Sequence, residues 1–323
     1  MADIAPGLVT VFGGSGFIGS QVVRALAKRG WRVRAAVRKP NLAFELKPLG
    51  DVGQIQAVRC DITEPDQGAA AVKGADAAIN LVGVLYETPG RSFEKLHVEG
   101  ARIVAEAAKA AKLSRLVQVS AIGADKDSAS SYARTKAEGE AAVKAAFKGA
   151  TIVRPSVVFG PGDGLLNRFA SLATFAPALP LIDGGQTRFQ PVYVGDLAEA
   201  IARALVGGET AGQTYEIGGP SVMTYEDLLK LVLRETGRNR LLLPLPGFIA
   251  RPIGSLAQLS ALVFIPPVLT RDQVELLATD NVVSPDAKGL ADLGIEPTGL
   301  DAIAPSYLWR YRVGGQFAAN PAR

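Results

Sequence analysis

The chain of 323 residues contains one cysteine, Cys60, and one histidine, His97. A single cysteine excludes an internal disulfide framework and any structural zinc site built on cysteines. A single histidine excludes multi-histidine metal chemistry, and a serine–histidine–aspartate system would depend on His97 alone. We therefore predict no metal site. Because Cys60 follows an apolar strand-like run, we interpret it as a buried thiol.

The sequence also lacks blocks of like charge and long apolar runs. Its 35 basic and 31 acidic residues give a net charge of +4, and the lysines and arginines are spread along the chain. This pattern indicates mild attraction to anions and no nucleic-acid partner. No apolar run reaches the length of a membrane span. Residues 1–7 have no basic region, so we expect no targeting peptide and a cytoplasmic chain, or one already processed in an organelle.

What is present, in the first half, is an alternation of strand-like and helix-like segments. Strands are predicted over 8–12, 32–37, 55–60, 77–82, 116–120 and 151–153. Helices are predicted over 20–29, 67–72, 93–111 and 132–147. This order predicts an α/β fold with a Rossmann-type, doubly wound parallel sheet. We assign 1–160 plus about 190–218 to this domain, and about 161–189 and 219–323 to a smaller C-terminal lobe.

The segment 241–270 differs from the rest because Arg251 is its only charged residue and five prolines fall within it. Prolines and glycines exclude a continuous spanning helix. Two interpretations stay open, a buried lobe over the α/β domain or an apolar surface for a membrane or a partner protein. The second predicts that at least one of four side chains is exposed: Phe248, Ile249, Leu262 and Phe264.

A glycine motif, G-x-x-G-x-x-G, follows the first predicted strand and precedes a helix-like run. Strand, glycine turn and helix in this order build a cradle for a dinucleotide pyrophosphate, which meets the N–H groups at the helix N-terminus. The alternative is a turn that only packs a helix close to a sheet. The predicted cradle comprises Gly13, Ser15, Gly16, Phe17, Ile18 and Gly19.

Two cations, Arg38 and Lys39, follow the second predicted strand, where an acidic residue would bind the ribose of NAD. Cations there would instead meet a 2′-phosphate, so the sequence predicts NADPH or NADP⁺ and disfavours NAD(H). The alternative is that both are solvated residues at a strand end. Asp61, after the third strand, is placed to accept from the adenine amino group, or else it caps a turn with Thr63.

The spacing Y-x-x-x-K places Tyr132 and Lys136 on one face of a predicted helix. A lysine ammonium near a tyrosine lowers the pKa of its phenol toward the range of an acid–base catalyst. The same lysine can hold the nicotinamide ribose. Together with the glycine cradle, this pair indicates a nucleotide-dependent reductase scaffold.

These motifs, in this order, resemble the short-chain dehydrogenase/reductase superfamily in its extended or atypical branch. The resemblance covers about residues 8–235, with Asn80-Leu-Val-Gly83, Arg154-Pro-Ser and Gln190-Pro-Val-Tyr-Val-Gly-Asp196 beside the motifs above. It implies further cofactor contacts at Ile62, Leu81, Val82, Gly83, Val119 and Pro155, besides Tyr132 and Lys136.

The resemblance also bears on two single residues. Superfamily enzymes carry a serine or threonine that hydrogen-bonds the substrate carbonyl, and Ser120 is the candidate here. In the superfamily the serine or threonine usually falls one or two residues later, at the places that Ala121 and Ile122 occupy here. The missing hydrogen-bond donor would weaken or abolish catalysis. His97 stands where many relatives have an asparagine that props the backbone near the lysine; the alternative is a packed helical histidine.

A narrower resemblance reaches the C-terminus. Segments 118–124, 131–140, 190–194, 269–275 and 289–295 resemble the NADPH-binding accessory subunits of respiratory complex I, NADH:ubiquinone oxidoreductase, and their bacterial relatives. It implies a non-catalytic accessory role, with complex I subunits or the membrane surface as partners and a peripheral position on the cytoplasmic face of the inner membrane. The competing function is a soluble NADP-dependent reductase, epimerase or dehydratase in which Tyr132 and Lys136 form the acid–base pair.

Overall fold

A computed structural model describes residues 3–258, 260–261, 267 and 269–317. Unit 1 contains Met1–Pro155, Gly195–Ile217 and Pro285–Ile295, and unit 2 contains Ser156–Val194, Gly218–Ser284 and Glu296–Arg323. The segment 285–295, which the sequence analysis assigned to the C-terminal lobe, thus belongs to unit 1. The backbone N–H of Glu216 donates to the carbonyl of Lys288 (2.8 Å), and this bond ties the segment to the last strand of the unit.

The strands, in chain order, are β1 (Leu8–Phe12), β2 (Arg32–Val37), β3 (Ile55–Arg59), β4 (Ala77–Asn80), β5 (Arg115–Val119), β6 (Thr151–Pro155), β7 (Val158–Phe159), β8 (Ala178–Ile182), β9 (Arg188–Phe189), β10 (Val192–Tyr193), β11 (Thr214–Ile217), β12 (Met223–Thr224) and β13 (Leu241–Leu245). The α-helices are α1 (Phe17–Ala27), α2 (Pro65–Val72), α3 (Gly100–Ala110), α4 (Ser131–Ala146), α5 (Leu166–Phe175), α6 (Val194–Val206), α7 (Tyr225–Thr236), α8 (Gly247–Gln258), α9 (Arg271–Leu276), α10 (Leu300–Ile303) and α11 (Pro305–Leu308). A π-helical turn, Glu94–Glu99, leads into α3.

Unit 1 is built on a seven-stranded sheet in the order β11-β6-β5-β4-β1-β2-β3. Every neighbouring pair in it is parallel. Its central strands are almost wholly buried and largely apolar, as expected for strands with both faces covered. The prediction of a Rossmann-type, doubly wound parallel sheet is therefore confirmed.

One apolar core of unit 1 packs α3 against the sheet, with Val104 and Ala108 meeting Phe12, Leu116 and Ile152. Burial of these side chains is the main favourable term that holds the helix on the sheet. Cys60 belongs to the same core and is 2% exposed, so its interpretation as a buried thiol is confirmed. Burial, followed by the nearby charge of Asp61, raises the pKa of the Cys60 thiol to about 11.

The predicted helices are present, but not all of them begin where predicted. Helix α1 begins at Phe17 instead of residue 20, directly after the glycine turn. The predicted helix 93–111 opens with the π-helical turn before α3. The sequence did not predict this turn, because apolar spacing does not distinguish a single wide turn from an α-helical one.

Unit 2 contains two-stranded pairings and a core of its own. Strand β13 pairs with β8 and β10 with β7 in parallel, while β12 and β9 are antiparallel. Its core packs Phe159, Leu166, Leu229 and Tyr307 together. Helix α7 begins with a capping box between Thr224 and Asp227. Within the described ranges, no helix has both the length and the apolar character needed to cross a membrane.

The segment 241–270 contains β13 and α8. On α8, Ala250 and Gly254 are buried while Phe248 is 72% and Ile249 41% exposed. Leu262 and Phe264 lie outside the described residues. The prediction that at least one of the four side chains is exposed is confirmed by Phe248. Because Ile253 and Leu256 are exposed as well, the outer side of α8 is largely apolar.

Candidate functional site

The glycine turn joins β1 to α1 by close backbone packing. Gly13 has a φ of +78°, and its N–H donates to the Ala36 carbonyl at 3.0 Å. A Cβ at Gly19 would lie 2.2 Å from the Gly13 carbonyl oxygen, so no larger residue fits there. The alternative function of the motif, packing a helix against a sheet, thus accounts for Gly13 and Gly19.

Packing does not account for Gly16. A Cβ at Gly16 would meet only the Gly13 oxygen, at an ordinary distance of 3.4 Å, and the residue is exposed. Gly16 is also the N-cap residue of α1, and without a side chain it offers no capping oxygen to the N–H groups of the first turn. These N–H groups and the exposed Ser15 leave an open surface at the helix N-terminus, which fits a pyrophosphate. Phe17 and Ile18, half-buried, begin the helix.

The two cations Arg38 and Lys39 follow β2 directly and are exposed. Neither side chain forms a hydrogen bond or an ion pair with another residue that the structure describes. Strand β2 lies between β1 and β3, so both cations lie at the edge of the sheet that carries the glycine turn. Their side chains are thus available to an anionic ligand.

Asp61 follows β3 at the same edge. Its Oδ1 accepts hydrogen bonds from the N–H and the hydroxyl of Thr63, at 3.2 and 2.9 Å, which is the turn cap considered above. Its Oδ2 lies 3.4 Å from Nη2 of Arg91, a residue that sequence reasoning missed. Arg91 closes a tight turn in which Thr88 and Arg91 exchange backbone hydrogen bonds. The sequence carried no signal for it, because loop length alone does not predict where such a turn points.

The neighbouring Ile62 is buried against the start of α3. A Cβ at Gly100 would lie 2.5 Å from its Cδ1, so the glycine lets the helix approach the end of β3. This contact holds the segment after β3 next to α3. Ile62 therefore lies within the same group of strand ends as the other predicted contacts.

Asn80 shapes the chain after β4. Its side-chain amide donates to Gln118 (2.9 Å), and its Oδ1 accepts from the N–H of Val82 (3.1 Å). The chain therefore turns at Leu81 and Val82 instead of continuing the strand. Gly83 then faces Lys136, because a Cβ on Gly83 would lie 3.0 Å from the lysine Nζ. The structure thus brings together Gly83 and Lys136, two of the predicted contacts.

Tyr132 and Lys136 lie on α4, whose N-terminus is capped by Ser130. The Lys136 Nζ is 5.7 Å from the centre of the Tyr132 ring. Lys136 is 7% exposed. Burial lowers the pKa of its ammonium to about 8, against the opposing effect of Glu140. The pair has the geometry that the Y-x-x-x-K spacing predicted.

His97 connects this helix to the loop after β4. Its Nε2 accepts a hydrogen bond from the N–H of Val84 at 3.1 Å, so the proton of the neutral ring is on Nδ1, which lies 3.1 Å from the Thr135 hydroxyl. Burial, and then the charge of Lys136, lower the pKa of His97 to about 3. The histidine is thus neutral, and it holds the loop backbone directly.

Ser120 follows β5, and its N–H donates to the Val153 carbonyl at 2.7 Å. It is 4% exposed, and its hydroxyl has no hydrogen-bond partner among the described residues. A buried hydroxyl without a partner is costly. Val119 and Pro155 end the adjacent strands beside it and are buried. Ser120 therefore fits a position where a ligand supplies the missing partner.

The predicted site residues thus gather where parallel strands end, which is where open α/β sheets bind nucleotides. A glycine turn with no room for a Cβ at Gly19, two exposed cations and an orphaned hydroxyl all suit a dinucleotide. No cluster of acidic, histidine or cysteine side chains suited to a metal ion occurs in the described part of the chain.

Comparisons with known proteins agree with this geometry. A sequence profile of the NAD dependent epimerase/dehydratase family matches residues 9–218. The chain is 34% identical over 313 residues to the mitochondrial NADH-ubiquinone oxidoreductase 40 kDa subunit of Neurospora crassa, covering 97% of this chain and 82% of that protein. It is 36% identical over 198 residues to a ceramide reductase of Caulobacter vibrioides, covering 61% of each.

Among solved structures, a dTDP-glucose 4,6-dehydratase from Streptomyces venezuelae with NAD and TYD bound superposes with a TM-score of 0.72. The match covers 94% of this chain and 96% of that one, at 21% identity. At this identity the likeness supports the fold alone.

Proposed function

The chain belongs to the NAD dependent epimerase/dehydratase family, and from this premise we propose that it is an NADP(H)-binding, non-catalytic accessory subunit of respiratory complex I. The observation that carries the proposal is the similarity to the 40 kDa subunit, which extends over 97% of the chain. The family match ends at residue 218. Nucleotide binding alone therefore does not account for the likeness in the remaining hundred residues.

The preference for NADP(H) rests on Arg38 and Lys39. Both are exposed after β2, and a guanidinium pairs with a phosphate through two parallel hydrogen bonds. Gly13, Gly16 and Gly19 would hold the pyrophosphate, and Lys136 the nicotinamide ribose. A bound nicotinamide supplies hydride chemistry, but in an accessory subunit its role is to stabilise the native state, to which alone it binds.

The partners that this function requires are complex I subunits or the membrane surface, with the chain peripheral on the cytoplasmic face of the inner membrane. The exposed apolar side chains of α8 support such an attachment. Proteins that act alone in solution seldom expose so many neighbouring large apolar side chains.

The competing function is a soluble NADP-dependent reductase, epimerase or dehydratase. The similarity to the ceramide reductase and the orphaned Ser120 hydroxyl favour it. In that case Ser120 would donate to the substrate carbonyl, Tyr132 would transfer the proton, and Lys136 would stabilise the phenolate.

One experiment separates the two functions. The native chain, isolated from its own membranes under mild detergent, is expected to bring down subunits of NADH:ubiquinone oxidoreductase together with bound NADPH. Tyr132→Phe should leave both unchanged, because an accessory subunit transfers no proton. Isolation without those subunits, together with carbonyl reduction that Tyr132→Phe abolishes, would contradict the accessory role and support the enzyme.

A further inference from the structure

A buried carboxylate lies one helical turn beyond Lys136. Glu140 is on α4 at the i+4 position and is 4% exposed. Two parallel hydrogen bonds join it to Arg154, from Nε to Oε1 at 2.8 Å and from Nη2 to Oε2 at 2.7 Å. This bidentate geometry fixes both the position and the orientation of the carboxylate.

Arg154 is in turn held from its other side. It lies on β6, directly opposite Glu216 on β11, and its Nη1 is 3.4 Å from Glu216 Oε1. Glu216 is 8% exposed. The half-buried Arg154 therefore has a carboxylate on each side. The buried ammonium of Lys136 lies one helical turn from Glu140, with no direct hydrogen bond or ion pair between the two side chains. Burying such charges is tolerable only when each has a counter-charge, so the loss of one member leaves another uncompensated.

We propose that Glu140 is a positioning residue for nucleotide binding, whose carboxylate, held by Arg154, keeps Lys136 in the charged form that donates to the nicotinamide ribose. The proposal rests on the nucleotide binding inferred above.

The electrostatics around Lys136 explain why a counter-charge is needed. Its Nζ lies against Gly83, beside the neutral ring of His97 and the ring of Tyr132. Burial lowers the pKa of Lys136 to about 8, and the charge of Glu140 acts in the opposite direction. Without Glu140 the ammonium loses this support, so it deprotonates at a lower pH. Arg154 and Glu216 act on Lys136 through the carboxylate that they hold.

The test measures the dissociation constant of NADPH, by its fluorescence, between pH 6 and 9. Wild-type affinity should fall as the pH rises through about 8, because the charged ammonium is a stronger hydrogen-bond donor to the ribose than the neutral amine. In Glu140→Gln the fall should begin about one pH unit lower, so that binding at pH 8 is about fivefold weaker than in wild type. Lys136→Arg should remove the fall, since a guanidinium stays charged.

The matched control is Glu138→Gln, the same change at an exposed position of the same helix. It should reproduce the wild-type profile. Equal profiles for Glu140→Gln and Glu138→Gln would overturn the proposal. So would a loss of affinity in Glu140→Gln that is the same at every pH, because this would show that the residue only ties α4 to β6.

Folding of the variants is checked by thermal melting. If Glu140→Gln does not fold, Glu140→Asp decides, because it keeps the charge and should keep the wild-type pH midpoint; a midpoint moved to lower pH would overturn the proposal. The same pH profile in wild type and in Lys136→Arg would overturn it as well.

If wild type binds no nucleotide, the proposed function itself fails. If it binds with a profile that Glu140 does not influence, only this inference fails.

Discussion

Single residues are expected to decide which nucleotide the proposed cradle accepts. Arg38→Asp replaces a cation by an anion at the end of β2, so it should weaken NADPH binding by about 3 kcal/mol, since a charge-assisted pair is lost and repulsion is added. NADH, without the 2′-phosphate, should bind nearly as before. Isothermal titration with both nucleotides checks this.

Arg32→Asp is the matched control, because Arg32 is exposed at the opposite end of the same strand. It should alter neither affinity. Equal losses of NADPH and NADH in Arg38→Asp would show that Arg38 does not contact the phosphate.

His97 is expected to make stability depend on pH. Its pKa is about 3 in the folded chain and about 6.5 in the unfolded chain. Between these values the unfolded state binds more protons, so stability rises with pH and is lost as the pH falls below 6.5. From pH 7 to pH 5 this contribution amounts to about 2 kcal/mol.

His97→Gln removes that contribution while retaining a donor and an acceptor. Urea unfolding at pH 7 and pH 5 should show that wild type loses about 2 kcal/mol more than the variant over this interval. If both chains lose the same free energy of unfolding, the histidine is not buried in its neutral form.

Among the elements, α8 is the one whose exposed apolar side is expected to serve as an attachment surface. Phe248→Asp places a charge on its exposed apolar side, so it should release the chain from membranes or from complex I, while NADPH content stays unchanged because the glycine turn belongs to unit 1. Membrane fractionation with a nucleotide assay on each fraction measures both effects.

Phe175→Asp is the control for α8, since Phe175 ends α5 and is 86% exposed. It should leave membrane attachment intact. If Phe248→Asp loses its nucleotide or unfolds, or if both variants detach equally, α8 is not the specific attachment surface.

At the scale of the whole molecule, nucleotide binding is expected to stabilise unit 1, which contains the cradle. NADPH at a hundred times its dissociation constant should add about 2.7 kcal/mol to the free energy of unfolding. Calorimetry should therefore show a transition that moves to higher temperature with NADPH. Arg38→Asp at the same NADPH concentration should show a smaller shift, and an unmoved transition in wild type would contradict nucleotide binding.

The order of strands and helices in unit 1 was determined by the sequence itself. Apolar runs of strand length, glycine turns and helix-forming runs act over a few residues, so β1 and β2 have the predicted bounds. The glycine motif and the Tyr132–Lys136 pair are local in the same sense, because spacing alone places their members on one turn or one helix face. The start of α1 at Phe17 was less predictable, since capping there depends on backbone packing.

Contacts between distant parts of the chain were decided only by the tertiary structure. Arg91 meets Asp61 across 30 residues, and Arg154 meets Glu216 across 62. The orphaned hydroxyl of Ser120 belongs to the same class, as does the identity of the exposed side chain, Phe248, among the four candidates. Each depends on which surfaces pack together, and packing is a property of the assembled fold, whereas secondary structure follows from neighbours in sequence. The sequence thus determined the scaffold and its cradle, and the fold determined which charges surround Lys136.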